Sequence, residues 1–274
     1  MRISVLIENT KPQESDLIAE HGLSLFIETE NHNIISDTGA SGAISENAEA
    51  MGIDLKKADI IVLSHGHYDH TGGMMRLSEI NDNAKIFLSQ NASKDFYNSV
   101  SEHHIGIDKN ILTLKNLELI NTDFFEIDDN LAIFSKITGR KYFPEGNRTL
   151  KVIDSNGNIS DDDFSHEQCL VIRENGKYFL ISGCAHNGIV NIIDRFHEIY
   201  NTYPDVVVSG FHMMKKDGYS EKDFENVRET AEILKDLPTV FYTGHCTGDE
   251  PFEILKEIMK EKIRRIYTGF QIEL

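Results

Sequence analysis

Short apolar runs rich in β-branched residues recur along the first half of the chain, and such runs predict buried strands. They lie at residues 2–7, 23–29, 33–36, 60–63, 85–88, 117–120 and 131–136. Residues 43–51, 72–79 and 91–99 are predicted to be helical, with Thr71 as the candidate N-cap of the second helix. Residues 138–163 have little regular pattern, so we expect them to form loops that cover a substrate.

The second half of the chain has a regular alternation of strands and helices. Predicted strands at 178–182, 206–209, 240–242 and from 265 alternate with predicted helices at 189–200, 221–234 and 251–262. Ser220 is the candidate N-cap of the second of these helices, because acidic residues follow it in the first turn. This alternation predicts an α/β sheet.

Three of the predicted strands in this half end in a hydroxyl residue and a glycine, followed closely by a histidine. The histidines are His186, His212 and His245, and the strand at 60–63 likewise ends in Ser64-His65. Ligands of open α/β sheets bind outside the carboxyl ends of strands. We therefore expect these histidines to meet at one edge of the sheets, in a site for more than one metal ion.

The densest group of candidate ligands lies in residues 59–73, where His65, His67, Asp69 and His70 follow the strand at 60–63. Histidines at positions i and i+2 of an extended segment point the same way and can bind one ion. Asp69 and His70 would crowd that ion, so they indicate a second one. Imidazole and carboxylate ligands suit zinc, iron or manganese.

This His-x-His-x-Asp-His stretch resembles the signature of the metallo-β-lactamase superfamily. Together with Glu20-His21-Gly22, Asp37-Thr38-Gly39 and Gly183-Cys184-Ala185-His186, it is similar to one branch of that superfamily. Members of this branch are labelled metal-dependent hydrolases or dihydropterin–ribofuranosylaminobenzene 5′-phosphate synthases. The resemblance implies an α/β (α+β) fold, a four-layer αββα sandwich. Residues 1–274 would form one domain of two similar halves, with the metals at one edge between the sheets.

The resemblance also implies a ligand set for two ions. His65, His67 and His186 would hold one ion, and Asp69, His70 and His245 the other. Cys184 stands where an Asp often bridges the two ions, and both a bridging thiolate and a buried spectator remain open. His186 would serve as a ligand in place of His166.

Three further residues are implied to support the site or its chemistry. Asp37 would orient a ligand histidine, with a turn-forming or helix-capping role as the alternative. His21 and His212 would face the substrate or transfer protons, and a purely structural role for both stays open.

Charge and cysteine usage restrict the partners and the compartment. The chain has 274 residues and a formal net charge of −18, which repels nucleic acids and anionic membrane surfaces. A small substrate, phosphorylated or not, is compatible with this charge because metal ions invert the local field. Three cysteines without Cys-x-x-Cys spacing indicate a reducing compartment. We therefore expect a cytoplasmic protein. The sequence does not determine its oligomeric state.

These features predict a binuclear metal-dependent hydrolase, with zinc as the first expectation and iron or manganese as alternatives. Hydroxide activated by the metals would attack a small ester, phosphoester or amide-type substrate. Asp69 would orient the hydroxide, and His212 would donate a proton to the leaving group. One alternative is a synthase that joins a pterin-like and a phosphoribosyl-like substrate. The other is a metal-containing binding protein without turnover.

Overall fold

The structure is a computed structural model that describes residues 1–154, 156–215 and 217–274. The strands are β1 (Arg2–Ile7), β2 (Ser24–Glu28), β3 (Asn33–Ser36), β4 (Ile60–Leu63), β5 (Lys85–Ser89), β6 (Asp95–Asn98), β7 (His103–His104), β8 (Leu117–Ile120), β9 (Phe124–Glu126), β10 (Leu131–Phe134), β11 (Leu150–Ile153), β12 (Ile159–Asp161), β13 (Cys169–Glu174), β14 (Lys177–Ile181), β15 (Val206–Val208), β16 (Val240–Thr243), β17 (Ile263–Arg265) and β18 (Gln271–Glu273). The helices are α1 (Ala43–Ala50), α2 (Tyr68–Thr71), α3 (Met74–Ile80), α4 (Ile189–Tyr200), α5 (Glu221–Asp236) and α6 (Asp249–Met259). Short 3₁₀ turns lie at Leu55–Lys57, Gln90–Ser93, Lys109–Thr113, Glu145–Thr149, His245–Thr247 and Lys260–Lys262.

Two seven-stranded sheets form the centre of the molecule. Their strand orders are β18-β1-β2-β3-β4-β5-β8 and β17-β16-β15-β14-β13-β10-β9. Successive side chains of a strand point to opposite faces, so each central strand supplies two apolar layers. In β4, Ile60 and Val62 pack in a core shared with the second sheet, whereas Ile61 and Leu63 pack with residues of α1 and α3.

The second sheet is covered on its outer face in the same way. Ile181 of β14 joins the core between the sheets, whereas Leu180 packs in a cluster that includes α4, α5 and α6. The order of layers is therefore helices, sheet, sheet, helices, and the predicted αββα sandwich is confirmed.

Strand direction brings the predicted site residues to one edge of each sheet. β14, β15 and β16 are parallel neighbours, and so are β3, β4 and β5. The carboxyl ends of parallel neighbours lie at the same edge. The loops after β14, β15 and β16 and the loop after β4 carry the histidines considered above.

Helix α5 begins at the residue that the sequence predicts. The Ser220 side chain accepts a hydrogen bond from the backbone N–H of Asp223, and the Asp223 side chain accepts one from the backbone of Ser220. This reciprocal capping box confirms the predicted N-cap.

The helix predicted at 91–99 is wrong. These residues form a 3₁₀ turn at Gln90–Ser93 and then β6, which pairs antiparallel with β11. Phe96 is buried while its neighbours in β6 are only partly covered, and alternation of this kind suits a strand. The stretch at 138–163 is also more regular than predicted, because it contributes β11 and β12 to a four-stranded sheet of order β12-β11-β6-β7.

The predictions for Thr71 and for the last strand also need correction. The helix after Thr71 begins beyond Gly73, and the Thr71 hydroxyl instead donates to the backbone oxygen of His67 at 3.0 Å. The strand expected from residue 265 ends there, and β18 then leaves the second sheet to pair with β1. In the ranges that the structure describes, no helix is both long and apolar enough to cross a membrane.

Candidate metal centre

The histidine-rich loop leaves β4, bends at His65 and Gly66, and then turns into α2. The bend at Gly66 is tight, since a Cβ there would lie 2.7 Å from the ring of Phe96 and 2.9 Å from the oxygen of Ala92. Glycine is therefore required at this position. The loop brings His65 and His67 to the site, and α2 brings His70 to it.

His65, His67 and His186 form the first group, here called cluster A. Their ligand atoms lie within 4.8 Å of one another, and each residue is at most 4% exposed. The three Nε2 atoms are buried without a hydrogen-bond partner among the described residues. An unpaired buried polar atom costs roughly 1–3 kcal/mol, so three converging ones require a common partner. A metal ion fits this donor set.

The protonation states of cluster A agree with metal binding. Burial lowers the pKa of His65 and of His186 well below the ordinary value, and neighbouring histidines lower both further. Burial also lowers the pKa of His67. The three rings are therefore neutral at physiological pH, and the neutral ring is the form that binds a metal.

Asp69, His70, Cys184 and His245 form the second group, cluster B, and all four are buried. His70 Nε2 lies 3.1 Å from both Cys184 Sγ and His245 Nε2. Asp69 Oδ2 lies 3.4 Å from His245 Nε2 and 3.7 Å from His70 Nε2. Burial raises the pKa of Asp69, but His70, His245 and His21 outweigh burial and lower it well below its usual value. Cluster B thus combines imidazole, carboxylate and thiol donors, a set that suits a divalent transition metal.

Cys184 of cluster B also approaches a histidine of cluster A. Its ligand atom also lies within 4.8 Å of those of His186 and His212, so the sulfur can reach ions in both clusters. Whether it bridges them stays a prediction. Cys246 lies behind it, where its sulfur accepts a hydrogen bond from the backbone N–H of His212 at 3.3 Å.

Asp37 is hydrogen-bonded to cluster B directly and is linked to cluster A through Ser64. Its Oδ2 accepts from His70 Nδ1 at 2.6 Å and from the hydroxyl of Ser64 at 2.7 Å. The Ser64 oxygen in turn lies 2.9 Å from His65 Nδ1 and accepts from it. Each ring therefore donates from Nδ1, which leaves Nε2 as the ring atom that would bind an ion in the site. Asp37 also has a left-handed backbone (φ 60°), so it forms the turn after β3 as well.

His186 is held at three points. Its backbone N–H donates to Glu167 Oε1 at 2.6 Å, and its Nδ1 donates to Asn147 Oδ1 at 3.0 Å. The Nδ2 of the same Asn147 donates back to the oxygen of His186 at 2.7 Å. The backbone and the ring of this histidine are thereby fixed together.

His245 is held in the same way by different residues. Its backbone N–H donates to Glu8 Oε1 at 2.5 Å, and its Nδ1 donates to Asn9 Oδ1 at 2.8 Å. The Nδ2 of Asn9 donates to the oxygen of His245 at 3.2 Å. The same glutamate-and-asparagine support therefore occurs once in each cluster.

The sequence did not reveal these supporting residues. Glu8 and Asn9 directly follow β1, and a pair of polar residues at a strand end was the one local signal available. Asn147 and Glu167 lie far from His186 along the chain, so only the folded structure shows their contacts.

Both ring nitrogens of His166 are already used. Nδ1 accepts from the backbone N–H of Gly66 at 2.9 Å, and Nε2 donates to Asp162 Oδ2 at 3.0 Å. His166 has no lone pair left for a metal, which agrees with the interpretation that His186 serves in its place.

His21 and His212 flank the clusters on the accessible side. His21 Nε2 lies 3.4 Å from Asp69 Oδ2, and its side chain is 47% exposed. The ring of His212 lies 4.1 Å from the ring of His186, and its Nδ1 has no hydrogen-bond partner among the described residues. Their proposed roles toward a substrate therefore remain open to test.

A sandwich of two mixed sheets with two buried, histidine-rich clusters at one edge defines a metal-binding α/β protein. The chain belongs to the metallo-β-lactamase superfamily. The family model described by that name matches residues 18–92, the part that carries Asp37 and the histidine-rich loop.

Relatives and solved structures match nearly the whole chain. A 7,8-dihydropterin-6-methyl-4-(β-D-ribofuranosyl)-aminobenzene-5′-phosphate synthase of Methanocaldococcus jannaschii is 28% identical, with 98% of this chain and 95% of the relative covered. An uncharacterized protein of the same organism is 30% identical, with 93% and 94% covered. The crystal structure of Tm1679, described as a metal-dependent hydrolase of the β-lactamase superfamily, has a TM-score of 0.84 at 30% identity, with 100% and 99% covered. Zn²⁺-bound PqqB from Methylobacterium extorquens shares the fold at 13% identity and a TM-score of 0.59, with both chains covered in full.

Proposed function

We propose that this protein is a binuclear metal-dependent hydrolase of a small ester, phosphoester or amide-type substrate. Zinc is the first expectation, with iron or manganese as alternatives. The observation that carries the proposal is the contact between clusters A and B, with Cys184 in reach of both. As the resemblance implies, cluster A would supply the metal ligands His65, His67 and His186. Cluster B would supply Asp69, His70, His245 and Cys184.

Bound divalent ions would supply Lewis acidity, which makes water acidic enough to lose a proton near neutral pH and stabilises charge on the leaving group. Asp69 remains an ionised carboxylate, because its histidine neighbours outweigh the effect of burial on its pKa. It can therefore hold an ion in cluster B and accept a hydrogen bond from the attacking water. His21, 3.4 Å from Asp69, keeps that carboxylate oriented from the solvent side.

His212 is the proposed proton donor to the leaving group. It lines a cleft together with Tyr142, Phe143, Phe211 and Met213. The aromatic lining favours a substrate with a flat, apolar part.

A synthase is the second candidate, favoured by the methanogen relative that covers 98% of this chain. In that reaction the aromatic cleft beside His212 would bind the pterin-like or aminobenzene-like partner. The phosphoribosyl-like partner would then lie over the two clusters. The binding protein without turnover remains the third candidate.

The first test combines metal analysis with two substrate panels. Protein purified without added metal should contain about two equivalents of zinc, iron or manganese by elemental analysis. It should then release product from aryl esters, phosphoesters or anilides. Product formed only when a pterin-like acceptor and a phosphoribosyl donor are both present would favour the synthase. Tight binding of a metabolite with no turnover on either panel would favour the binding protein.

A His212→Asn variant tests the proton donor. Asparagine tolerates the left-handed backbone of this residue (φ 50°), so the fold should be kept. We expect turnover to fall ~10²–10⁴-fold, the range for loss of a general acid, with metal content unchanged. His197→Asn on the outer helix α4 is the matched control and should keep full turnover. Equal activity of both variants would remove His212 from the mechanism.

A further inference from the structure

His212 is held differently from the histidines of the two clusters beside it. His186 and His245 each donate from Nδ1 to the side chain of an asparagine. The Nδ1 of His212 is buried and has no hydrogen-bond partner among the described residues. The position of the His212 ring therefore depends on its packing and on the backbone that carries it.

The backbone of His212 has an uncommon conformation. Its φ of 50° lies in the left-handed region, which residues other than Gly, Asn and Asp seldom adopt. A residue stays in such a conformation only where the surrounding structure holds it there. Contacts made by the segment 211–214 must therefore supply that support.

The support comes from the loop that follows β16. The backbone N–H of Phe211 donates to Thr247 Oγ1 at 3.0 Å, and the N–H of His212 donates to Cys246 Sγ at 3.3 Å. The N–H of Met214 donates to the backbone oxygen of Cys246 at 2.9 Å. Thr247 supplies the one hydroxyl among these three acceptors, and valine has nearly the same shape without that hydroxyl.

The Thr247 hydroxyl is itself fixed by a strand. Its oxygen lies 2.5 Å from the hydroxyl oxygen of Thr243, the last residue of β16, and the two share a hydrogen bond. Both threonines are at most 1% exposed. A buried N–H that loses its acceptor is costly, so Phe211 cannot leave Thr247 freely. A continuous series of bonds therefore links β16 to the backbone beside His212.

We propose that Thr247 is a positioning residue that fixes the backbone at His212 and thereby places its imidazole for proton transfer. This inference rests on the proposed function. There, a ring N–H of His212 gives its proton to the leaving oxygen or nitrogen as the bond to carbon or phosphorus breaks, and the ring becomes neutral. Misplacement of a reacting group by about 1 Å can cost ~10²-fold in rate.

The test compares Thr247→Val with Thr239→Val. Thr239 is equally buried, but its hydroxyl donates to the backbone oxygen of Pro204 at 2.6 Å, at the opposite end of β16 from Thr243. With phenyl esters or phenyl phosphate, Thr247→Val should lower kcat ~10–100-fold and leave KM and metal content unchanged. Thr247→Ser, which keeps the hydroxyl, should restore turnover, and Thr239→Val should keep it.

The leaving group distinguishes a positioning role from a general loss of structure. A phenyl leaving group needs the proton more than a nitrophenyl group, which departs as a stabilised anion. We therefore expect Thr247→Val to lower kcat much less with nitrophenyl substrates. Full turnover of Thr247→Val, an equal loss with both leaving groups, or loss of metal from the variant would overturn the proposal.

A double variant shows whether Thr247 acts through His212. Adding Thr247→Val to His212→Asn should cause no further loss of kcat, because the proton donor is already absent. A second loss of the same size would overturn the proposal. Full turnover of His212→Asn alone, or no turnover by the unaltered protein, would instead contradict the proposed function.

Hydrogen–deuterium exchange on metal-stripped protein tests the link without turnover. The amide of Phe211 should exchange slowly in the unaltered protein and in Thr239→Val, and faster in Thr247→Val. Exchange of this amide at the rate of an exposed loop in the unaltered protein would overturn the proposal, even if Thr247→Val failed to fold.

Discussion

Clusters A and B are held in place by similar hydrogen bonds but offer different ligand atoms to a metal ion. In each, one histidine is fixed by a glutamate at its backbone N–H and by an asparagine at its ring and carbonyl oxygen. Cluster A offers three neutral imidazoles with unpaired Nε2 atoms, whereas cluster B offers a carboxylate and a thiol packed against two imidazoles. Similar support with different donors predicts that ions bound at the two clusters would differ in affinity. The carboxylate of cluster B should make it bind a cation more tightly.

The largest expected effect comes from removing one histidine ligand of either cluster. His67→Ala should lose the ion of cluster A and keep that of cluster B, because His67 contributes to cluster A alone. His245→Ala should do the reverse. Each variant should retain about one metal equivalent and lose more than the ~10–100-fold in activity that is typical of supporting residues.

Elemental analysis of both variants, followed by chelator competition, measures this difference. Retention of the full metal content by His67→Ala would contradict the assignment of cluster A. Loss of both ions in either variant would show that the clusters bind their ions cooperatively rather than separately.

Asp37 is shared by the two clusters and so gives the next largest effect. Asp37→Ala should weaken both metal sites ~10–100-fold, because it removes the acceptor of His70 Nδ1 and breaks the link through Ser64 to His65. Ser64→Ala is the matched variant and should weaken cluster A alone. Isothermal titration of each metal-stripped variant distinguishes the two patterns, and equal losses from Ser64→Ala in both clusters would contradict the proposed link.

Local sequence patterns predicted the parts of the molecule that depend on short-range rules. A continuous apolar run specifies β4 and the two layers around it, and the convergence of the strand-end histidines follows from strand direction. The resemblance supplied the split of the ligands into two groups. Asn147 escaped both approaches, because its role depends on a contact with His186, 39 positions away in the chain. The strand β6 was missed because its pairing partner β11 lies far along the chain, in the poorly patterned stretch 138–163.

The two supporting asparagines give a smaller and more selective effect. Asn147→Ala should weaken cluster A by about tenfold, since the ring of His186 loses the acceptor that fixes its tautomer. Asn9→Ala should weaken cluster B by a similar factor through His245. Chelator competition on both variants and on the double variant would show additive losses if the clusters are independent. If Asn147→Ala lowered the metal affinity of cluster B, or Asn9→Ala that of cluster A, each asparagine would influence both clusters.

The smallest effect should appear in metal-stripped protein, where the clusters respond to pH in opposite directions. Burial lowers the pKa of His65 well below 6.5, so below about pH 6.5 the unfolded chain binds a proton that the folded protein does not. The effect of His65 on the free energy of unfolding is therefore unfavourable in acid and disappears as the pH rises.

His70 of cluster B behaves in the opposite way. Burial also lowers the pKa of His70, but Asp37 and Asp69 outweigh burial and raise it to about 9. The stability gained at His70 is complete below about pH 6.5 and is lost as the pH rises through about 9. Urea unfolding between about pH 5 and 10 should show a maximum near pH 6.5–7, and Asp37→Asn should flatten only its alkaline side. If stability falls at alkaline pH in Asp37→Asn as it does in the unaltered protein, Asp37 does not hold a proton on His70. The contrast between the clusters would then rest on their donors alone.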